Sequence, residues 1–297
     1  MGELARGLPR LDAVRKPRRY PGVMCCFSRP IKHVSSTAIV ARMASPGRQL
    51  LAYKMELAAS SDLAMILPLP VPPGSPEDAV RFLDLSAYPT FFADLDRAFP
   101  ATFELSLGGS FAPQPAARGA PLVVHDVGDF VASFVPTLGD FSRLDPRFRL
   151  DDAVWRKLPR YADHGFAVFQ LRGLQGGWLS RLLRPERKKT FHPMAFEFPT
   201  RFPSHLFYPT VHIHDGEVHP EAFFDHALYA QADVAALAGC TTEPDGRDDL
   251  PWVAGEPAHR HLRVEATRGL VSAEGRLFKR TIQGPGPNAD RWVCLPP

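Results

Sequence analysis

A chain of 297 residues with 45% hydrophobic and 23% charged side chains has the composition of a globular protein, enough for one large domain or two moderate ones. The formal charge of +3 is concentrated in residues 1–23, where Arg6, Arg10, Arg15, Lys16, Arg18 and Arg19 outnumber Glu3 and Asp12. That local net of +4 leaves −1 for residues 24–297, which excludes a basic nucleic-acid-binding surface as the reading of the body of the chain.

Residues 1–23 lack the apolar core of ~7–15 residues that a secretory signal needs, and no stretch approaches the ~18–20 apolar residues of a membrane helix. They read as a basic, disordered extension, and Met24 as the expected true start of the protein. A cytoplasmic location follows as the expectation, with Cys25, Cys26, Cys240 and Cys294 reduced. The 31 prolines limit long helices and favour short strands and fixed turns.

Thr37–Met43 and Gln49–Leu57 flank the turn Ser45-Pro46-Gly47-Arg48 and form a hairpin whose second strand puts Leu51, Tyr53, Met55 and Leu57 on one face. The apolar run Ala64–Pro70 is long enough for a buried strand. Ser75-Pro76-Glu77-Asp78 carries a helix start, with a capping serine, proline at the first position and acids at the positive end of the dipole. Ala79, Val80 and Leu83 supply its apolar stripe. A second helix after Ser86 bears Phe91, Phe92, Leu95 and Phe99 at helical spacing, a core stripe rather than a cofactor box.

The Gly/Pro/Ala-rich stretch 108–119 is the best internal boundary. Strands are expected at Pro121–His125, Phe130–Val135 and Gly165–Leu171, with a short helix over Asp151–Tyr161 turning Val154, Trp155 and Leu158 inward. Arg172–Lys189 reads as an exposed basic loop without the glycine spacing of a phosphate loop. Thr190–Phe198, Leu206–His214 and Phe223–Gln231 read as strands, and Thr241–Gly255 as an acidic, turn-rich segment. His259–Ala266 alternates as a strand, and Leu270–Val271 pairs with Leu277–Ile282 across a turn. The sum is a β-rich α+β fold, mostly antiparallel, with three or four short helices, spanning 24–297 as one domain.

The segment Val211-His212-Ile213-His214-Asp215-Gly216-Glu217-Val218-His219 concentrates the chemistry. Asp-Gly between alternating residues predicts a two-residue hairpin turn. That register puts His212, His214, Glu217 and His219 on one face, opposite Ile213 and Val218. Two imidazoles two residues apart on a strand lie about 6.5–7 Å apart at Cα. With His219 opposite, three imidazoles suit a divalent zinc, iron or copper ion that activates water. Asp215, Glu217, Asp225 and His226 stand ready as supporting ligands. The competing reading is a polar outer face.

If Met24 is removed, Cys25 becomes N-terminal and its own amine serves as the base for a thiol nucleophile, an amidase arrangement. The start resembles class II glutamine amidotransferases in Met-Cys alone, since Cys26-Phe27-Ser28 stands where those continue Gly-Ile. No G-x-S-x-G elbow accompanies His125-Asp126 or Asp163-His164.

Met24-Cys25-Cys26-Phe27-Ser28, Tyr53-Lys54-Met55, Ala64-Met65-Ile66-Leu67-Pro68-Leu69-Pro70 and the Val-His-Ile-His-Asp-Gly segment together resemble an uncharacterised bacterial protein family of unknown function, over about residues 24–231. The resemblance implies no activity, cofactor or catalytic residue. The functional expectation is therefore a protein that binds a ligand or protein partner, with the histidine-rich segment as its site. The alternatives are a metal-dependent hydrolase at His212, His214 and His219 and an amidase using Cys25.

Overall fold

The computed structural model describes residues 25–31, 33–59, 61–100, 124–128, 130–171, 189–213, 215–232 and 252–295. The basic extension, Met24, the 108–119 boundary, the basic loop of 172–188, His214 and most of the acidic segment lie outside the described residues. Strands dominate, and nearly all pairings are antiparallel. Among the described residues the helices are two short α-helices, α1 (Phe91–Asp96) and α2 (Asp152–Arg156), and five short 3-10 segments.

Among the described residues the first sheet has six strands. In spatial order they are β12 (His212–Ile213), β1 (Cys25–Phe27), β4 (Leu63–Leu69), β8 (Gly165–Leu171), β7 (Phe130–Val135) and β6 (Val124–Val127). The second sheet has eight described strands. β14 (Val253–Pro257), β15 (Arg276–Pro287), β13 (Glu221–Gln231), β2 (His33–Ser45), β3 (Arg48–Ala58), β10 (Met194–Pro199) and β5 (Arg81–Asp84) run in order, and β9 (Lys189–Thr190) pairs with β3. A two-stranded ribbon, β11 (His205–Tyr208) with β16 (Arg291–Cys294), completes the strands described.

Alternation of side chains along each strand divides the apolar residues among three cores. Between the two sheets lie Phe27, Met65, Phe130 and Phe169 from one and Tyr53, Met55, Phe196 and Phe224 from the other. The outer face of the second sheet is covered by α1 and the turns of 258–271, which bring Tyr88, Phe91, Leu95 and Leu262 onto Val40, Ala52 and Tyr229. α2 and the turns around it lay Phe141, Trp155 and Tyr161 over Cys26, Ile66, Phe166 and Ile213 on the outer face of the first sheet. Both sheets are thus apolar on both faces over much of their length, which explains why β4 and β8 are buried at every residue. β8 carries a phenylalanine to each side, Phe166 outward and Phe169 inward.

Three expected elements differ. The capping signal at Ser75 yields only a turn, closed by Ala79 N–H on Pro76 O at 3.0 Å. The chain then extends as β5 because β10 offers it a partner edge, and Glu197 on β10 takes both Arg48 and Arg81. Pairing with a formed sheet outweighs local helix propensity here. His259–Ala266 forms two 3-10 turns instead of a strand, since β14 already occupies the edge of β15. The segment is pinned instead to α1's cluster, with Arg263 stacked 4.1 Å over the Tyr88 ring. Leu270–Val271 is buried but unextended, and the Gln231 side chain bonds Ser272 N and O where a strand had been expected to turn.

Candidate functional site

The expected hairpin at Asp215-Gly216 does not pair its two arms. The turn itself forms: Gly216 adopts φ +82°, and the Asp215 carboxylate accepts Glu217 N–H at 2.9 Å. His212 and Ile213, however, are taken up by β1 in parallel, with Cys25 in register with His212 and Cys26 with Ile213. Asn288 occupies the other edge. Its amide accepts His212 N–H at 2.7 Å and donates to His212 O and to His219 O, both at 2.9 Å. One side chain from 76 residues away thus does what the second arm was expected to do.

Asp290, two residues on, fixes the approach to the strand. Its carboxylate accepts Tyr161 O–H at 2.6 Å, Thr210 N–H at 2.9 Å and Val211 N–H at 3.1 Å, and it is buried. Burial pushes the Asp290 carboxyl above its ordinary range, and these donors oppose that rise. Burial, with the Asp290 charge second, also drives the Tyr161 hydroxyl well above its ordinary value, so it remains a donor.

With its backbone clamped this way, alternation sends Val211 and Ile213 to the helix-covered side and His212 inward. His212 meets His226 of β13. The rings stack at 5.4 Å between centroids with their Nε2 atoms 3.5 Å apart, and both are almost fully buried. Phe224 packs against both rings and carries the Arg291 guanidinium on its other contact, 5.1 Å from the ring centre. His226 Nδ1 accepts Asp225 N–H at 3.0 Å, which puts that ring's proton on Nε2, facing His212. Burial, and then the neighbouring His212, hold His226 well below the ordinary histidine range. A ring bearing its proton on Nε2 presents no lone pair there to an ion.

The other expected members are placed differently. His219 is exposed and bonded through Nε2 to Asp215 at 2.8 Å, and Glu217 reaches Lys157 at 2.6 Å. Asp225 points to solvent. His214 lies outside the described residues, and of Cys25 only the backbone pairing is described. Among the described residues no three His, Cys, Asp or Glu side chains are grouped to hold a metal ion. What the structure unites is the buried pair His212–His226. The residues that build its surroundings, Asn288, Asp290 and Arg291, lie far along the chain, and their only local signal is a short polar turn after a long strand.

The same geometry defines an exposed half. Along β13, Phe224 and His226 point inward, so Glu221, Phe223 and Asp225 occupy the outer face of the second sheet. Among the described residues the cover from α1 reaches Ala227 and Tyr229 and no further along β13. Phe223 is left 50% exposed, with Pro285 of β15 opposite it. Glu221 and Asp225 flank it and have no ion pair among the described residues. The Lys157–Glu217 pair is solvated, at 50% and 62% side-chain exposure. Lys157→Ala is therefore expected to shift unfolding free energy by less than about 1 kcal/mol in urea titration.

No protein-family model matches the chain, and no curated protein does. Among solved structures it is similar to baculovirus P35, which aligns over 91% of this chain and 99% of that one at 11% identity and a TM-score of 0.43. A chain from the caspase-8/P35 complex aligns over 88% and 96% at 10% identity, TM-score 0.43. A mutated baculovirus P35 after caspase cleavage aligns over 88% and 99% at 10% identity, TM-score 0.44. The site described above rests on this chain's own residues.

Proposed function

We propose that this chain is a binding protein, and that the exposed half of the histidine-bearing region receives a basic segment of a protein partner. The observation that carries this reading is Phe223, half exposed between the carboxylates of Glu221 and Asp225 on a stretch of sheet that no described helix or turn covers. An aromatic side chain supplies contact area at little entropic cost, and two carboxylates beside it select positive charge. The buried histidines serve this face from behind: His226 lies between Asp225 and the inter-sheet core and shapes the strand that presents Phe223.

The test uses an array of lysine- and arginine-rich peptides, each with one aliphatic or aromatic residue, read by fluorescence anisotropy at low and physiological salt. Binding is expected to weaken with salt and to fall about tenfold or more in Phe223→Ala and in the double variant Glu221→Lys/Asp225→Lys. Absence of any basic peptide whose binding depends on these three residues overturns the reading.

A further inference from the structure

The ribbon β11–β16 carries a second cluster, built from different residues and independent of the contact face. His205 and Cys294 stand directly opposite each other in antiparallel register, which places their side chains on one face. Cys294 Sγ is 3.2 Å from His205 Nε2, and Ser204 Oγ is 3.0 Å from His205 Nδ1. Nucleophile, base and a group orienting the base are therefore joined in one line. With Nδ1–H donated to the Ser204 hydroxyl, Nε2 keeps its lone pair toward the thiol. Cys294 is partly exposed, whereas Cys26 is fully buried in the outer core of the first sheet.

A separate feature supplies a receptor for what would react. Trp292, two residues before Cys294, stands 6.3 Å from the His205 ring and packs against Phe207 at 4.7 Å and edge-on to Phe202 at 5.0 Å. Phe202 is 40% exposed, one of three large apolar side chains left at the surface among the described residues. The half-buried Trp292 and, beyond it, Phe202 with the Arg201 guanidinium 5.5 Å from its ring centre thus form an aromatic edge beside the His205–Cys294 pair.

We infer that Cys294 is a reactive thiol, served by His205 as base, that forms mixed disulfides with apolar, aromatic disulfide compounds seated on Phe202 and Trp292. The Cys294 thiol gives its proton to His205 Nε2, and Sγ attacks one sulfur of the incoming disulfide. The S–S bond breaks, the distal half leaves with the electron pair, and it takes the proton from the imidazolium to depart as a thiol. Ser204 is a positioning residue. A free cysteine thiol is only a few per cent ionised near neutral pH, so a neighbouring base changes its rate appreciably.

The experiment treats the full native chain with 4,4′-dithiodipyridine, follows thiopyridone release at pH 7, and locates the label by peptide mass spectrometry. Cys294 is expected to react at least about fivefold faster than the same cysteine in the urea-unfolded chain. His205→Gln removes that advantage, and Ser204→Ala reduces it. Phe202→Ala slows the aromatic disulfide and leaves the rate with hydroxyethyl disulfide unchanged. Native Cys294 reacting no faster than in the unfolded chain overturns the inference without recourse to any variant. So does a folded His205→Gln, verified by near-UV circular dichroism, that reacts at the parent rate.

Discussion

Replacing Asp290 with alanine is expected to lower the stability of the fold by about 3–5 kcal/mol. The carboxylate is buried and accepts from Tyr161 O–H, Thr210 N–H and Val211 N–H. Alanine leaves all three donors, on the Pro159–Tyr161 turn and the segment leading into β12, without their acceptor, and each unsatisfied buried donor costs about 1–3 kcal/mol. Partial entry of water limits the total. The loss also reaches the site, since Thr210 and Val211 lead directly into His212. Asp290→Asn keeps an oxygen for the two backbone donors and lets Tyr161 turn to accept, so a milder loss of about 1–2 kcal/mol is expected. Urea unfolding at pH 7 with a constant m-value measures both. An alanine variant within about 1 kcal/mol of the parent would show that the carboxylate does not anchor this strand.

The contrast between Asp215 and Asp290 explains how far the fold could be read in advance. Local signals were sufficient wherever neighbours in sequence are neighbours in space. The turn at Pro46-Gly47 joins β2 to β3, with Leu51, Tyr53, Met55 and Leu57 on one face and all in the inter-sheet core. The aromatic stripe Phe91, Phe92, Leu95 lies on α1, and Phe166 and Phe169 separate onto the two sides of β8. The Asp215-Gly216 turn was legible for the same reason. Its pairing was not, because β1 and Asn288 compete for the edges of His212 from 187 and 76 residues away. The face shared by His212 and His219 was a consequence of that pairing and was lost with it. His226, named as a supporting residue, is instead the partner of His212, because the inward side of β13 faces the inward side of β12 across the core. Likewise Ser75 carries every mark of a helix start except the knowledge that β10 has a vacant edge.

The buried histidine pair makes stability depend on acid in a direction that can be fixed. His226 is held well below the ordinary histidine range, first by burial and then by His212 and the Arg291 charge behind Phe224. The unfolded chain therefore takes up a proton at this ring near pH 6.5, while the folded protein does so only at much lower pH. Below about pH 6.5 the unfolded state binds more protons, so the stability present above that pH drains away as pH falls toward the folded value. The slope for one such group is about 1.4 kcal/mol per pH unit, or about 2 kcal/mol between pH 6.5 and 5. His164, lowered by burial, acts in the same sense, and the raised carboxyl of Asp290 acts in the opposite one, gaining stability as pH falls. Comparing the parent with His226→Gln at each pH cancels both contributions. Their difference in unfolding free energy is expected to be level above pH 7 and to shift toward the variant by about 1.4 kcal/mol per unit below pH 6.5. A difference that stays level down to pH 5 would mean that the folded protein takes up a proton at this ring as readily as the unfolded chain.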